Sequence, residues 1–187
     1  MTRVLRNIPN ILTGLRLFAA PALALLIVGG AYNAACGVFV FAGLSDAADG
    51  FLAKRFGLVT RFGRYLDPAA DKLLMLLTFV TLTWMGIAPL WLAVLVIGRD
   101  VAIVAGLVVA RFLEMPVTVE PIILGKLSTA AQIGYIALVL VMLAAGLDWP
   151  QMAKAAAYVT GAVTIASWLA YGQIWFRALA RRRRRVA

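Results

Sequence analysis

The chain has 187 residues, 64% of them hydrophobic, with a formal net charge of +10 and no histidine. That is more apolar surface than one water-soluble core of this length can hide, so the composition excludes an ordinary soluble domain and indicates a membrane protein. The missing histidine excludes Ser-His-Asp and Cys-His catalysis and imidazole metal ligation, and the lone Cys36 excludes an intrachain disulfide, so proton transfer falls to carboxylates, Lys, Tyr or water.

A membrane-spanning helix needs ~20 mostly apolar residues. Six segments qualify, at about 10–30, 33–54, 67–87, 89–112, 125–146 and 151–176, within a single domain covering residues 1–187. Residues 1–9 carry Arg3 and Arg6. They read as a short amphipathic surface helix, because no small-residue cleavage site follows and the apolar run continues as an anchor. The first segment has Arg16 inside it. The links at 30–33 and 87–89 are very short, which predicts antiparallel helix pairs. The second segment ends in acidic and small residues, and the charged stretch 55–66 leads to a third that opens with Asp67 and Asp71. The fourth contains Arg99 and Asp100; Asp100 is expected to point to another face. Pro116 and Pro121 mark 113–124 as a loop. The fifth segment opens with Lys126, and the sixth runs into a basic tail, 177–187. The tryptophans fall mostly near predicted helix ends, as interfacial anchors do.

Lysine and arginine set the orientation. With the N-terminus inside, the cytoplasmic segments hold 14 of the 18 basic residues and the outer links hold only Lys154. Both termini are therefore expected in the cytoplasm. The positive charge reads as topology signal and attraction to anionic lipid, not as a nucleic-acid footprint.

Four of the eight acids fall within 26 residues: Asp46, Asp49, Asp67 and Asp71. Spacings of three and four put each pair on one helix face. Asp46, Asp49, Gly50 and Ala53 form one stripe; Gly63, Asp67 and Asp71 form the next. Like charges gathered in a low-dielectric region must be protonated, paired or bound to cations. Lys72, Arg64 and Arg99 are candidate partners. Bound metal is the more economical account, and oxygen-only ligands favour Mg²⁺ or Mn²⁺ in a two-metal site. The acids lie at the cytosolic mouth, where a substrate with a soluble headgroup and lipid tails would reach them. Gly50, Ala53 and Gly63 would let phosphates or a base approach the backbone. A small cation transporter is the alternative from another class.

The stretch DAADGFLAKRFGLVTRFGRYLDPAAD, Asp46 to Asp71, closely resembles the signature of the CDP-alcohol phosphatidyltransferases. Every spacing holds, and the one departure is Lys54 where that family usually has Arg, which loses a bidentate phosphate fork. IPNILTGLRL resembles the family's first-helix entry. The resemblance implies an all-α membrane protein of six transmembrane helices, a homodimer in the bilayer, and a divalent-metal site on the cytosolic side of a bacterial inner membrane. It implies attack of an alcohol on the β-phosphate of CDP-diacylglycerol with release of CMP. On that footing Asp46, Asp49, Asp67 and Asp71 bind metal, and Asp71 is also the general base. Gly50, Ala53, Lys54 and Gly63 line the nucleotide pocket.

The acceptor must be read elsewhere. GRDVAIVAGLVVAR and PIILGKLSTAAQ look most like the CMP-forming cardiolipin synthases, which use phosphatidylglycerol. Relatives that use glycerol-3-phosphate usually show Arg-Glu where this chain has Arg99-Asp100, and they remain the alternative. Arg99, Lys126, Arg16 and Arg64 are the candidate acceptor-phosphate contacts. For Arg99, a structural bridge to a motif aspartate is an equal expectation.

Overall fold

A computed structural model describes the backbone of residues 2–56, 63–112 and 122–186, with side chains over 14–45, 70–112 and 122–176. The backbone forms six helices: α1 Thr2–Val28, α2 Tyr32–Phe56, α3 Gly63–Trp84, α4 Leu90–Phe112, α5 Ile123–Ala144 and α6 Pro150–Val186. Of these, α4 and α5 are long and apolar enough throughout to cross a membrane.

Two boundaries differ from the sequence expectation. No separate surface helix breaks off at residues 1–9; α1 is one helix of 27 residues, ~40 Å at 1.5 Å per residue. Pro9 removes one backbone donor, and α1 runs on through it without a break. The basic tail continues α6 to Val186, because arginine is a strong helix former and no Gly or Pro follows Phe176.

Helices α1, α3 and α5 end in the same way. Gly30, Gly86 and Gly146 have φ of +70°, +72° and +64°. At each, the next amide reaches back five residues: Ala31 N to Leu26 O, Ile87 N to Leu82 O and Leu147 N to Met142 O, all 2.9 Å. A left-handed residue just past the helix caps the orphan carbonyls, and glycine takes that conformation without a Cβ penalty.

The residues group into two compact units, 1–88 with 136–149, and 89–135 with 150–187, so that α5 contributes to both. In the first unit α1 packs on α2 and α3. The buried stripe of α1 is Arg16, Ala20, Leu23 and Ile27, at helical spacing; Ala35, Phe39 and Ala42 of α2 and Ala70, Leu74, Thr78 and Leu82 of α3 are buried with it. In the second unit α4 and α6 run in the same direction. Gly161 faces Trp91, Gly98 faces Trp168 and Gly106 faces Trp175, so contact numbers rise together along both helices. The spacing of seven on α6 and seven then eight on α4 is that of a coiled-coil seam, with indoles as knobs and glycines as holes. The Trp168 indole N–H also donates to Leu95 O at 3.1 Å, and Trp91 stacks on Tyr158. Trp84 and Trp149 lie exposed at helix ends as anchors should; Trp91, Trp168 and Trp175 are instead packing elements.

Both units bury polar side chains within a mainly apolar core and expose large apolar ones. Arg16, Ser128, Gln132, Thr164 and Ser167 are all at most 2% exposed, whereas Phe18, Leu25 and Phe112 are at least 73% exposed. That distribution suits a lipid exterior, where polar side chains bond across helices and large apolar ones face the hydrocarbon.

Candidate active site

Helices α2 and α3 carry the acidic motif at their facing chain ends. Asp46 and Asp49 occupy the last three turns of α2; Asp67 and Asp71 fall within the first three turns of α3. The side chains of Asp46, Asp49, Gly50, Ala53, Lys54, Gly63, Arg64 and Asp67 lie outside the described residues. Asp71 is described. Its Oδ1 accepts a hydrogen bond from Nη1 of Arg16 at 2.6 Å. Arg16, expected among the acceptor-phosphate contacts, is seen paired with the motif aspartate. The reason is its place on the core stripe of α1, one turn before Ala20, which points it at α3. The guanidinium is 2% exposed and the carboxylate 42% exposed. A buried cation thus anchors one oxygen of an acid whose other side reaches outward, a short charge-assisted bond that fixes the carboxylate's orientation.

The second unit holds a different constellation. Arg99 sits on the buried face of α4 with its side chain 5% exposed. Its Nη1 donates to Asp100 Oδ1 at 2.8 Å, Nε and Nη2 to Ser167 Oγ at 3.3 and 3.2 Å, and Nη2 to Gly125 O at 3.3 Å. Tyr171 lays its ring 5.5 Å from the guanidinium carbon, within cation–π range. One expectation is corrected here. Asp100 does not point to another face but folds back onto its neighbour, because a buried guanidinium needs a counter-charge and the adjacent carboxylate supplies one. Among the described residues, the partners of Arg99 are Asp100 and residues of α5 and α6.

Beyond Arg99 opens a recess of about 440 Å³. Lys126 and Thr129 bring polar groups to it, Ile122, Ala130 and Ile133 bring apolar wall, and Tyr171 closes one side. Deeper between α5 and α6 lies a hydrogen-bonded set: Ser128 Oγ and Thr164 Oγ1 are 3.2 Å apart, and Gln132 Nε2 donates to Ser128 Oγ at 3.1 Å and Thr164 Oγ1 at 3.4 Å. The sequence reading missed Ser167, Tyr171 and the role of Gly125. The signal was present: Thr160, Thr164, Ser167 and Tyr171 recur at spacings of four, three and four, a polar stripe along an otherwise apolar helix.

The family model for CDP-alcohol phosphatidyltransferases matches residues 6–174. A cardiolipin synthase (CMP-forming) of Homo sapiens is 34% identical over 143 residues, covering 68% of this chain and 48% of that protein. One of Streptomyces coelicolor is 43% identical over 100 residues, covering 50% of this chain and 46% of that protein. A chloroplastic CDP-diacylglycerol–glycerol-3-phosphate 3-phosphatidyltransferase of Oryza sativa subsp. japonica is 30% identical over 195 residues, covering 95% of this chain and 59% of that protein. The chain spans about half the length of the curated relatives it matches.

Proposed function

The chain belongs to the CDP-alcohol phosphatidyltransferase family, and from that membership we propose that it transfers the phosphatidyl group of CDP-diacylglycerol to phosphatidylglycerol, forming cardiolipin and releasing CMP. The observation that carries the choice of acceptor is the recess beside Arg99. It combines the Lys126 ammonium with a wall of Ile122, Ala130 and Ile133, which suits a phosphate attached to acyl chains. The names of the human and Streptomyces relatives point the same way. Glycerol-3-phosphate is the second reading, favoured by the Oryza relative's match over 95% of this chain.

In this reading Asp71 takes the proton from the acceptor hydroxyl. The freed oxygen attacks the β-phosphorus of the CDP-lipid, the bond to the bridging oxygen breaks, and CMP departs with the electron pair. Arg16 is a positioning residue that fixes the orientation of the Asp71 carboxylate. Asp46, Asp49, Asp67 and Asp71 form an all-oxygen donor set on two helix ends, which fits Mg²⁺ or Mn²⁺ and not a soft metal. When bound, such cations supply neutralisation of the pyrophosphate charge. Gly50, Ala53, Lys54 and Gly63 line the nucleotide, and Arg64 adds a cation near the phosphates. We read residues 1–187 as one catalytic domain. It crosses a bacterial inner membrane six times with both termini inside, presents its site to the cytosol and acts as a homodimer.

One assay separates the acceptors. Purified protein in detergent or liposomes receives CDP-diacylglycerol with phosphatidylglycerol or with glycerol-3-phosphate, and CMP is measured. Release with phosphatidylglycerol is expected; release with glycerol-3-phosphate alone would transfer the protein to the second reading. Full activity in excess chelator would refute the divalent-metal reading.

A further inference from the structure

We propose that the outward face of α6 holds an anionic phospholipid of the surrounding bilayer, with one acyl chain in a notch at Gly172 and the phosphate at the level of Arg177 and Arg181. This site is separate from the recess beside Arg99 and goes beyond phosphatidyl transfer. It rests only on reading α4 and α6 as membrane-crossing helices.

The first support is the notch. A groove of about 400 Å³ is lined by Trp168, Leu169, Gly172, Gln173 and Phe176, all on α6. A Cβ at Gly172 would meet no atom within 4 Å, so the floor of the groove opens outward. Trp168 and Phe176 stand four residues to either side and wall it with aromatic rings, ~12 Å apart along the axis at 1.5 Å per residue. Leu169 and Phe176 are 64% and 76% exposed. An apolar channel of this length on the outside of a helix fits a stretch of hydrocarbon chain.

The second support is where the channel leads. The seam pairs Trp91 with Gly161, Gly98 with Trp168 and Gly106 with Trp175, so the depth of an α6 residue can be read from α4. Carried on, that register sets Arg111, near the end of the apolar run of α4, level with Ala180 and Arg181. The α6 backbone continues as helix to Val186. Its 37 residues make ~55 Å, against a hydrocarbon core of ~30 Å. The excess length is the part that carries Arg181 to Arg185. Gln173, Arg177, Arg181 and Arg184 recur at spacings of four, four and three, which sets these arginines on the helix face that holds the groove. Apolar channel and cationic stretch therefore follow one another along α6 in the order of a lipid's tail and phosphate. Basic clusters just past a membrane span favour anionic lipid; a zwitterionic lipid would fill the channel but gain little from the arginines.

The test places the full chain in phosphatidylcholine liposomes and reads quenching of its tryptophan fluorescence by lipids brominated on the acyl chains. Brominated phosphatidylserine is the anionic probe, because the proposed transfer does not use it; brominated phosphatidylcholine is the neutral control. The serine lipid should quench at about tenfold lower mole fraction than the choline lipid. Arg177→Gln combined with Arg181→Gln should remove that preference. Gly172→Leu keeps the charge but fills the notch, and it should remove most of the preference as well. Both variants should keep the wild-type melting temperature in detergent. Equal quenching by the two lipids in wild type, or a preference that survives either change, would overturn the proposal. If loss of the arginines matters but Gly172→Leu changes nothing, the attraction is diffuse or a second copy of the chain covers the groove, and the site is refuted. No quenching by either lipid would refute the membrane reading itself, whereas quenching without preference refutes the lipid site alone.

Discussion

Among the described residues, each unit shows a buried arginine paired with an aspartate, and the two pairs differ in how far the acid is exposed. Arg16 and Asp71 lie 55 residues apart and meet at 2.6 Å; Arg99 and Asp100 are chain neighbours and meet at 2.8 Å. The arginines are almost equally hidden, 2% and 5% exposed, but Asp71 is 42% exposed and Asp100 only 19%. In both pairs the acid is the more exposed member, and what separates them is degree: Asp71 stands well out from its arginine, whereas Asp100 is tucked against Arg99 beside a recess. In the proposed reading, the first pair presents a base and the second braces the wall of an anion pocket.

The sharpest way to break this comparison is Asp71→Asn. If Asp71 is the presented base, the rate of CMP release should fall by roughly 10²–10⁴-fold with the protein still folded, as a missing general base typically costs. Wild-type turnover in this variant would remove the distinction between the two pairs. Arg16→Gln should follow with a smaller loss. It removes the charge-assisted bond that orients the base, so kcat should drop by about tenfold or more while the acceptor KM holds. A rise in acceptor KM instead would mean that Arg16 contacts phosphate after all. Asp100→Ala should give the converse pattern, an acceptor KM raised by a few-fold with kcat little changed. Asp100→Asn should fall between Ala and wild type, because the amide oxygen still accepts from Nη1. Equal kcat losses from the Arg16 and Asp100 variants would collapse the comparison.

Much of this was readable in the chain itself. Helix count follows from apolar length, and the acidic motif from spacing alone, because carboxylates at i, i+3 and i+4 are rare in apolar segments and stand out. The partner of Arg16 was legible in principle. Positions 16, 20, 23 and 27 make a helical stripe, and an arginine on the stripe that buries Ala20, Leu23 and Ile27 must find its counter-charge inside the fold. What periodicity could not reveal was the match between elements. Nothing in α4 says that Gly98 and Gly106 receive indoles from α6, and nothing in Gly125 says that Tyr171 covers it. The start of α1 and the end of α6 differ from expectation for a related reason: charged residues beside an apolar run resemble a boundary, yet arginine continues a helix as readily as leucine does.

The glycine–tryptophan seam between α4 and α6 offers the smallest and most graded test, because it should alter stability without touching either arginine pair. Glycine to alanine in a helix interior gains roughly 0.5–1 kcal/mol from backbone entropy. The sign at each site therefore depends on what the new methyl meets. At Gly98 the nearest atom is Trp168 Cζ2 at 3.5 Å, an ordinary contact, so Gly98→Ala should leave the melting temperature unchanged or slightly raised. At Gly161 the methyl meets Trp91 Cζ3 at 2.6 Å and Cη2 at 2.9 Å, the far edge of a ring that is 40% exposed and can swing outward against its Tyr158 stack. The gain and the clash should nearly cancel there. At Gly106 the methyl would lie 2.5 Å from Trp175 Cζ2, 2.7 Å from Cε2 and 3.1 Å from Nε1, the body of the indole and not its tip. The ring cannot clear that by rotating its edge, so overpacking of about 1–3 kcal/mol should prevail and the melting temperature should fall. The order Gly98, Gly161, Gly106 in rising damage, read by thermal unfolding in detergent with both KM values constant, is the expected result. A different order would show that α4 and α6 are not registered by these three contacts, and a shifted acceptor KM at Gly106 would show that the seam and the recess are coupled.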